Sequence, residues 1–369
     1  MTFKCTSIVF VCIATICFFN YFPQFIYSDK EILINSSFND GFSKWIPSKT
    51  GVEIHPAAKI DTTNLSNFVS PPETSVILSA PNFERAISLG QFIPPVTAGS
   101  LLHLSAYTKT IGITDGLRPW ETARVILVGY DQFNKAMYNH PHLLVAQKGS
   151  SDWAYHERVF RIAENTAKLQ LIIQLIHAKG QFFVKTLSLR PATPNPEFGR
   201  YRSWFIAIWT FLGLWVGLPL VHKAATRRPH ALILLIALGI LAGVLMPNSL
   251  KEYIGESILP SADAGAYIIH SDELSVFRLT FSIPELDKYK YGHFIMFGLL
   301  AATASNRGWF NLSTFKALVL TTLFAFATEV LQLFIPGRGP QLGDVLIDTA
   351  GIFTGWALSG FYRSSSINC

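Results

Sequence analysis

The chain has 369 residues, of which half are hydrophobic, with a mean hydropathy of +0.32 and a formal net charge of +6. That is too apolar for an ordinary soluble protein, and long enough for a folded domain plus a membrane bundle. The modest positive charge fits the basic ends of membrane helices better than a nucleic-acid surface, and the sequence contains no nucleic-acid motif, no phosphate-binding glycine loop and no CxxC pair. The first predicted element is residues 7–27 (SIVFVCIATICFFNYFPQFIY), which follow a single early lysine, Lys4. This run is long enough to span a bilayer and ends without a small-x-small cleavage signature, so an uncleaved signal anchor over 1–28 is expected, with a cleaved signal peptide as the alternative. Cys5, Cys12 and Cys17 lie in or beside this run and Cys369 ends the chain. Residues 28–200 contain no cysteine and must fold on their core without disulfides.

From residue 29 to 192 the pattern changes to short alternating runs broken by Gly, Pro, Asn and Asp. The runs are ILINSSF, SVILSA, AISLGQFI, LLHLSAYT, ARVILVGY, YHERVFRI, KLQLIIQLI and FFVKTLSL. Period-two alternation at this spacing predicts an all-β sandwich. Its opening NSSFNDGFSKW, followed by ISLGQFIPPVTAGSLLHLSAYTK and later GQFFVKTLSLRP, resembles the jelly-roll carbohydrate-binding modules. The resemblance implies a glycan as ligand. Many of those modules end on a strand with an aspartate, and GQFFVKTLSL has none. Trp45 and Trp153 match positions that pack in the core of such modules and are expected there. Trp120, in the loop GLRPWE beside Arg118, is the candidate for stacking on a sugar ring, with packing on its own sandwich as the alternative.

The segment PATPNPEFGRYR reads as a proline-rich connector, with 193–202 as the linker proper. A membrane bundle is expected over 203–363, with spans at 203–222, 231–247, 291–306, 315–335 and 343–361. The anchor brings the total to about six. The short basic loop with Lys223, Arg227 and Arg228 marks the cytoplasmic side, as do Arg307, Lys316 and Arg363. The expected topology is therefore multi-pass in a plasma membrane. Both termini, including the tail 364–369, are cytoplasmic, and 29–202 and the loop 248–288 are extracytoplasmic.

Ionisable groups within such apolar segments cost several kcal/mol and mark candidate sites. They are Lys290, His293, Glu329, Arg338, Asp344 and Asp348, with the amide of Gln332 beside them. Glu329 and Gln332 are three apart and share a helix face. Glu329 precedes Pro336 by seven residues, about 10 Å along a helix at ~1.5 Å per residue. Asp344, Asp348, Gly351 and Gly355 follow at helical spacing, a stripe with two carboxylates and two points of close helix approach. His293 or Glu329 suits general acid–base work. Arg338 and Lys290 suit an anion, Asp344 would orient the histidine, and Gln332 and Asp348 would bind sugar or water. The bland alternative is a satisfied polar clamp, Glu329 with Arg338 or His293 with Asp344, that fixes helix packing. Two acids with a histidine can also hold a divalent metal, but the spacing matches no metal motif, so neither a metal nor another cofactor is assigned.

Lys290-x-x-His293, Glu329-x-x-Gln332, the Pro-Gly-Arg338 turn, and Asp344 followed by Thr-Ala-Gly351 resemble the VanZ-like family of bacterial membrane proteins. Two positions depart from its pattern. Tyr289 stands where the family has aspartate, with Asp287 two residues earlier, and Asp348 stands where asparagine is common. The resemblance implies an envelope location and a cell-wall antibiotic response rather than an enzyme class. Two functions follow. One is an envelope protein that holds a lipid head group or lipid-linked glycan, with a glycan or protein partner on the sandwich. The other is an intramembrane enzyme acting on such a lipid. A transporter is disfavoured, because no internal repeat is visible.

Overall fold

In a computed structural model the described residues are 2–48, 50–55, 74–83, 86–118, 120–138, 142–247, 273–274, 288–306, 313–335 and 340–365. They fall into two compact units. One comprises residues 25–193 and 261–276, and the other 1–24, 194–260 and 277–369.

The first unit is a two-sheet sandwich. Its strands are β1 (Phe25–Tyr27), β2 (Ile46–Pro47), β3 (Val52–His55), β4 (Ser75–Ala80), β5 (Ala86–Ile93), β6 (Leu101–Thr114), β7 (Ala123–Tyr130), β8 (His142–Gln147), β9 (Gly149–Arg161), β10 (Lys168–Ile176), β11 (Lys179–Pro194) and β12 (Glu273–Leu274). The larger sheet has the order β12-β9-β6-β11-β4-β3, with β1 also on β11, and the smaller has the order β2-β5-β10-β7-β8. Alternation decides which side chains face inward. Leu78, Leu102, Leu104 and Phe182 from the larger sheet meet Leu89, Val125, Leu127 and Leu171 from the smaller in one buried core. Trp45 joins that core, and its indole N–H donates to the Asn35 carbonyl at 3.1 Å.

Three expectations need correction. ILINSSF is not a strand. Asn35 and Phe38 adopt positive φ, and the Asn35 amide bonds to the Gly41 carbonyl, so the segment folds back on itself. The N-terminal apolar run does not continue as helix to residue 27. The helix ends at Tyr21, just before Pro23, and residues 25–27 enter the sandwich as β1. Trp153 is not in the core but on the solvent face of the larger sheet. There it meets Phe183 edge-on, with ring centroids 6.4 Å apart, and the Lys185 ammonium 4.8 Å from its ring centre.

The second unit is helical: α1 (Thr2–Tyr21), α2 (Pro196–Ala224), α3 (Arg228–Leu245), α4 (Lys288–Ala304), α5 (Thr314–Gln332) and α6 (Leu342–Ser365). Helix α2 starts inside the expected linker. Asn195 caps it, accepting from the Glu197 N–H at 3.0 Å, and Pro196 supplies a preset first turn. Helices α1 and α2 run antiparallel. Phe18 stacks on Phe198 and Phe205 at one end, and Lys4 donates to the Trp215 carbonyl at 3.1 Å at the other. Among the described residues four helices are long and apolar enough to cross a membrane: Phe3–Tyr21, Pro196–Ala224, Arg228–Leu245 and Phe315–Gln332. Large apolar side chains stand exposed along α2, including Trp204, Phe211 and Leu218, as lipid-facing residues do.

Helices α4 and α6 pack side by side in the same direction and approach at backbone distance. A Cβ on Gly298 would lie 3.1 Å from the Gly351 carbonyl oxygen, and a Cβ on Gly355 would lie 2.7 Å from the Gly298 carbonyl carbon. The glycine stripe of α6 is the point of close approach that its spacing predicts, and Gly298 supplies the opposite face.

Candidate functional site

The close approach of α4 and α6 sets the register of their polar ends. Lys290 Nζ lies 3.3 Å from Asp344 Oδ1, and His293 Nδ1 lies 3.4 Å from Asp348 Oδ1. The histidine therefore faces Asp348, not Asp344 as the sequence suggests. Moving three residues along α4 and four along α6 advances both by about one turn, so the pairs fall in step along parallel helices.

Helix α5 contributes Glu329 and Gln332 from its C-terminal turn. Gln332 Nε2 donates to Glu329 Oε1 at 2.6 Å, and the Gln341 backbone N–H donates to Glu329 Oε2 at 3.2 Å. Glu329 is 2% exposed, Gln332 5% and Asp348 0%. His293, Glu329 and Asp348 each offer a donor atom within 4.8 Å of the other two. Three separate helices thus bring an imidazole and two carboxylates together, with a paired ammonium and carboxylate one turn away.

A cavity of about 10 Å³, room for roughly one water, lies beside Glu329 and is lined by Gln341, Leu333, Val345 and Ile16. A head group does not fit a space of that size. At the end of the cluster carrying Lys290 and Asp344 the side chains are 18% and 21% exposed. Arg338, Asp287 and the turn at 336–339 lie outside the described residues, as does the side chain of Tyr289.

On the sandwich, Trp120 is half-buried with the Arg118 guanidinium 5.4 Å from its ring centre. A richer surface lies on the larger sheet. Tyr107 and Tyr155 are directly paired across β6 and β9, with ring centroids 5.0 Å apart. Trp153 continues the row, and Lys185 reaches both Tyr107 and Trp153. Next along the same face the Tyr27 ring stacks on His103 at 4.0 Å, and His103 Nε2 lies 3.2 Å from Glu157. Sequence reasoning passed over Tyr107 and Tyr155. The available signal was parity: Tyr107 sits between buried Ala106 and Thr108, and Tyr155 is exposed between two less exposed neighbours, so both face outward.

Residues 232–363 match a family model described as VanZ/LLP1, so the chain carries a VanZ-like domain over most of its helical part. Among curated proteins none matches the chain in sequence. The chain is similar to several solved structures. One is the enzymatically active domain of tailspike protein 4 of bacteriophage CBA120, at 15% identity and a TM-score of 0.32, covering 44% of this chain and 21% of that one. Another is a family 16 carbohydrate-binding module, at 16% identity and a TM-score of 0.29, covering 43% of this chain and 98% of that one. A third is the CBM22-1 xylan-binding domain of Paenibacillus barcinonensis Xyn10C, at 12% identity and a TM-score of 0.29, covering 42% and 91%.

Proposed function

We propose that this chain is an envelope protein of a bacterial plasma membrane that docks the phosphate-bearing head group of a lipid or lipid-linked glycan at the ends of α4, α5 and α6. The observation that carries this reading is the convergence of Lys290, His293, Glu329, Gln332, Asp344 and Asp348 from three helices of an apolar bundle. Polar groups at that depth are retained where they act. Lys290 and Arg338 meet phosphate, while Gln332 and the carboxylates hydrogen-bond sugar or water. The sandwich separately holds a glycan or protein partner across Tyr107, Trp153 and Tyr155, with Trp120 as a second contact. Cell-wall antibiotic response or polysaccharide assembly is the setting in which such a ligand occurs.

The topology in this reading has six spans, with α4 and α6 crossing alongside the four more apolar helices. Both termini are cytoplasmic and 29–202 is extracytoplasmic. Lys4, Lys223, Arg227 and Arg228 support that orientation. Strand β12 supports it too. It comes from the segment between α3 and α4 yet pairs with β9, which requires that segment to share a side with the sandwich.

The test is native mass spectrometry of the full chain released from nanodiscs containing phosphatidylglycerol, a polyprenyl phosphate or phosphatidylcholine. Retention of the anionic lipids, reduced at least about tenfold by Lys290→Ala and Arg338→Ala together, is expected. Equal retention of all three lipids by wild type and variant would sink the reading.

One observation favours an enzymatic version of the same site. The His293–Asp348 pair with Glu329 alongside has the composition of a general acid–base centre oriented by a carboxylate. In this version Asp348 takes the orienting role. Turnover of a phosphate-bearing lipid, abolished by both His293→Ala and Glu329→Gln in folded protein, would select it.

A further inference from the structure

Asp348 is completely buried, and among the described residues neither of its carboxylate oxygens takes part in a hydrogen bond. His293 Nδ1 is likewise without a hydrogen bond, although it stands 3.4 Å from Asp348 Oδ1. A buried carboxylate with nothing to accept from costs several kcal/mol unless a proton or a cation joins it. Lys290 is engaged with Asp344 one turn away, which leaves His293 as the base paired with this carboxylate. Glu329 adds a second buried carboxylate, whose two accepted hydrogen bonds leave lone pairs free on both oxygens.

We propose that His293, Glu329 and Asp348 bind one divalent transition-metal ion of the zinc or manganese class. The geometry suits it. Two ligands on a tetrahedral ion with bonds of about 2.1 Å stand about 3.4 Å apart, the separation of His293 Nδ1 and Asp348 Oδ1. The third donor lies within 4.8 Å of both, so a rotation of the Glu329 side chain brings it to bonding distance. One imidazole with two carboxylates is a borderline-to-hard set that suits Zn²⁺ or Mn²⁺. Three protein ligands leave at least one coordination position open for water or a further ligand. The ion neutralises both carboxylates and gives the site a Lewis acid facing phosphate oxygen or water. The inference goes beyond the head-group reading and does not depend on it.

The experiment uses the full chain, purified through a tag without histidine and kept in nanodiscs. It is stripped with a chelator and reloaded separately with Zn²⁺, Mn²⁺ or Co²⁺. Bound metal is counted by inductively coupled plasma mass spectrometry, and the thermal midpoint is followed with and without the ion. We expect about one equivalent per chain, a higher midpoint with metal, and a Co²⁺ absorption spectrum characteristic of nitrogen and oxygen ligands. The isosteric variant Asp348→Asn and His293→Ala should each lower affinity at least about tenfold, while the exposed His222→Ala should not. Equal metal content in wild type and both site variants would place any ion elsewhere and overturn the proposal. If a variant does not fold, the wild-type chain decides alone. Folded wild type that binds none of the three ions and whose midpoint does not move would also overturn it. Lipid retention measured on the stripped protein reads the head-group proposal separately, so either can fail without the other.

Discussion

Gly355→Ala tests whether the polar cluster depends on backbone contact between α4 and α6. The added methyl would meet the carbonyl of Gly298, lying 2.7 Å from its carbon and 2.9 Å from its Cα, where 3.4 Å is ordinary contact. Because the obstacle is backbone and not the end of a flexible side chain, and the Gly298 carbonyl oxygen lies nearer still, relief requires the helices to separate by more than ~1 Å or tilt. Overpacking of this kind costs about 1–3 kcal/mol. The same substitution at Gly213 or Gly360, where a Cβ meets nothing within 4 Å, should change stability only through helix propensity, a gain of up to about 1 kcal/mol. The comparison is the thermal midpoint of each variant in nanodiscs. Gly355→Ala and Gly351→Ala should fall below both controls, with Gly298→Ala between, since its added Cβ would meet only the Gly351 carbonyl oxygen at 3.1 Å. The wider spacing should also loosen the His293–Asp348 pair. A Gly355→Ala midpoint equal to that of Gly213→Ala would refute the close-packing argument.

Burial holds the His103 imidazole below its ordinary value of 6.5, with Glu157 opposing, and burial together with Arg158 does the same to His156. The folded sandwich therefore binds fewer protons than the unfolded chain, and its stability should fall as pH drops through and below about 6.5. Hydrogen exchange in β6 and β9 peptides of the full chain, corrected for intrinsic rates, reads this, and a flat profile from pH 7.5 to 5 (roughly the histidine titration range) would contradict it. Trp153→Ala and Tyr107→Ala should each weaken retention on immobilised soluble glycans by about 1–2 kcal/mol while leaving the thermal midpoint nearly unchanged. A lowered midpoint with unchanged retention would make the aromatic row structural. Asn195→Ala should cost about 1 kcal/mol through loss of the α2 cap, seen as faster exchange in the first turn of that helix; an unchanged rate would mean the cap contributes nothing.

Much of the architecture was legible because period-two alternation survives in β4 to β7 and β9 to β11, and long apolar runs survive in α1, α2, α3 and α5; β8, whose HLLVAQ does not alternate, was missed. The glycine stripe of α6 was legible for the same reason, since helical spacing alone puts Gly351 and Gly355 on one face. What escaped depends on relations between elements. Choosing Asp344 or Asp348 as the partner of His293 requires knowing that α4 and α6 run in parallel, which no single helix encodes. The three donor atoms matched no metal motif because they come from three helices separated by long intervals. Trp153 was expected in the core because a tryptophan at the matching position packs there in carbohydrate-binding modules, but strand parity places it outward beside Lys185. ILINSSF alternates as a strand does, yet the turn-forming Asn35 overrides that pattern.

Strand β12 is supplied by a segment far from the rest of its sheet, with α2 and α3 intervening. A soluble fragment ending near residue 193 would omit it and leave β9 with a bare row of amides and carbonyls at residues 159–160. An exposed strand of that kind recruits other chains. Such a fragment would be prone to pair edge to edge, and its apparent self-association would report on where the chain was cut.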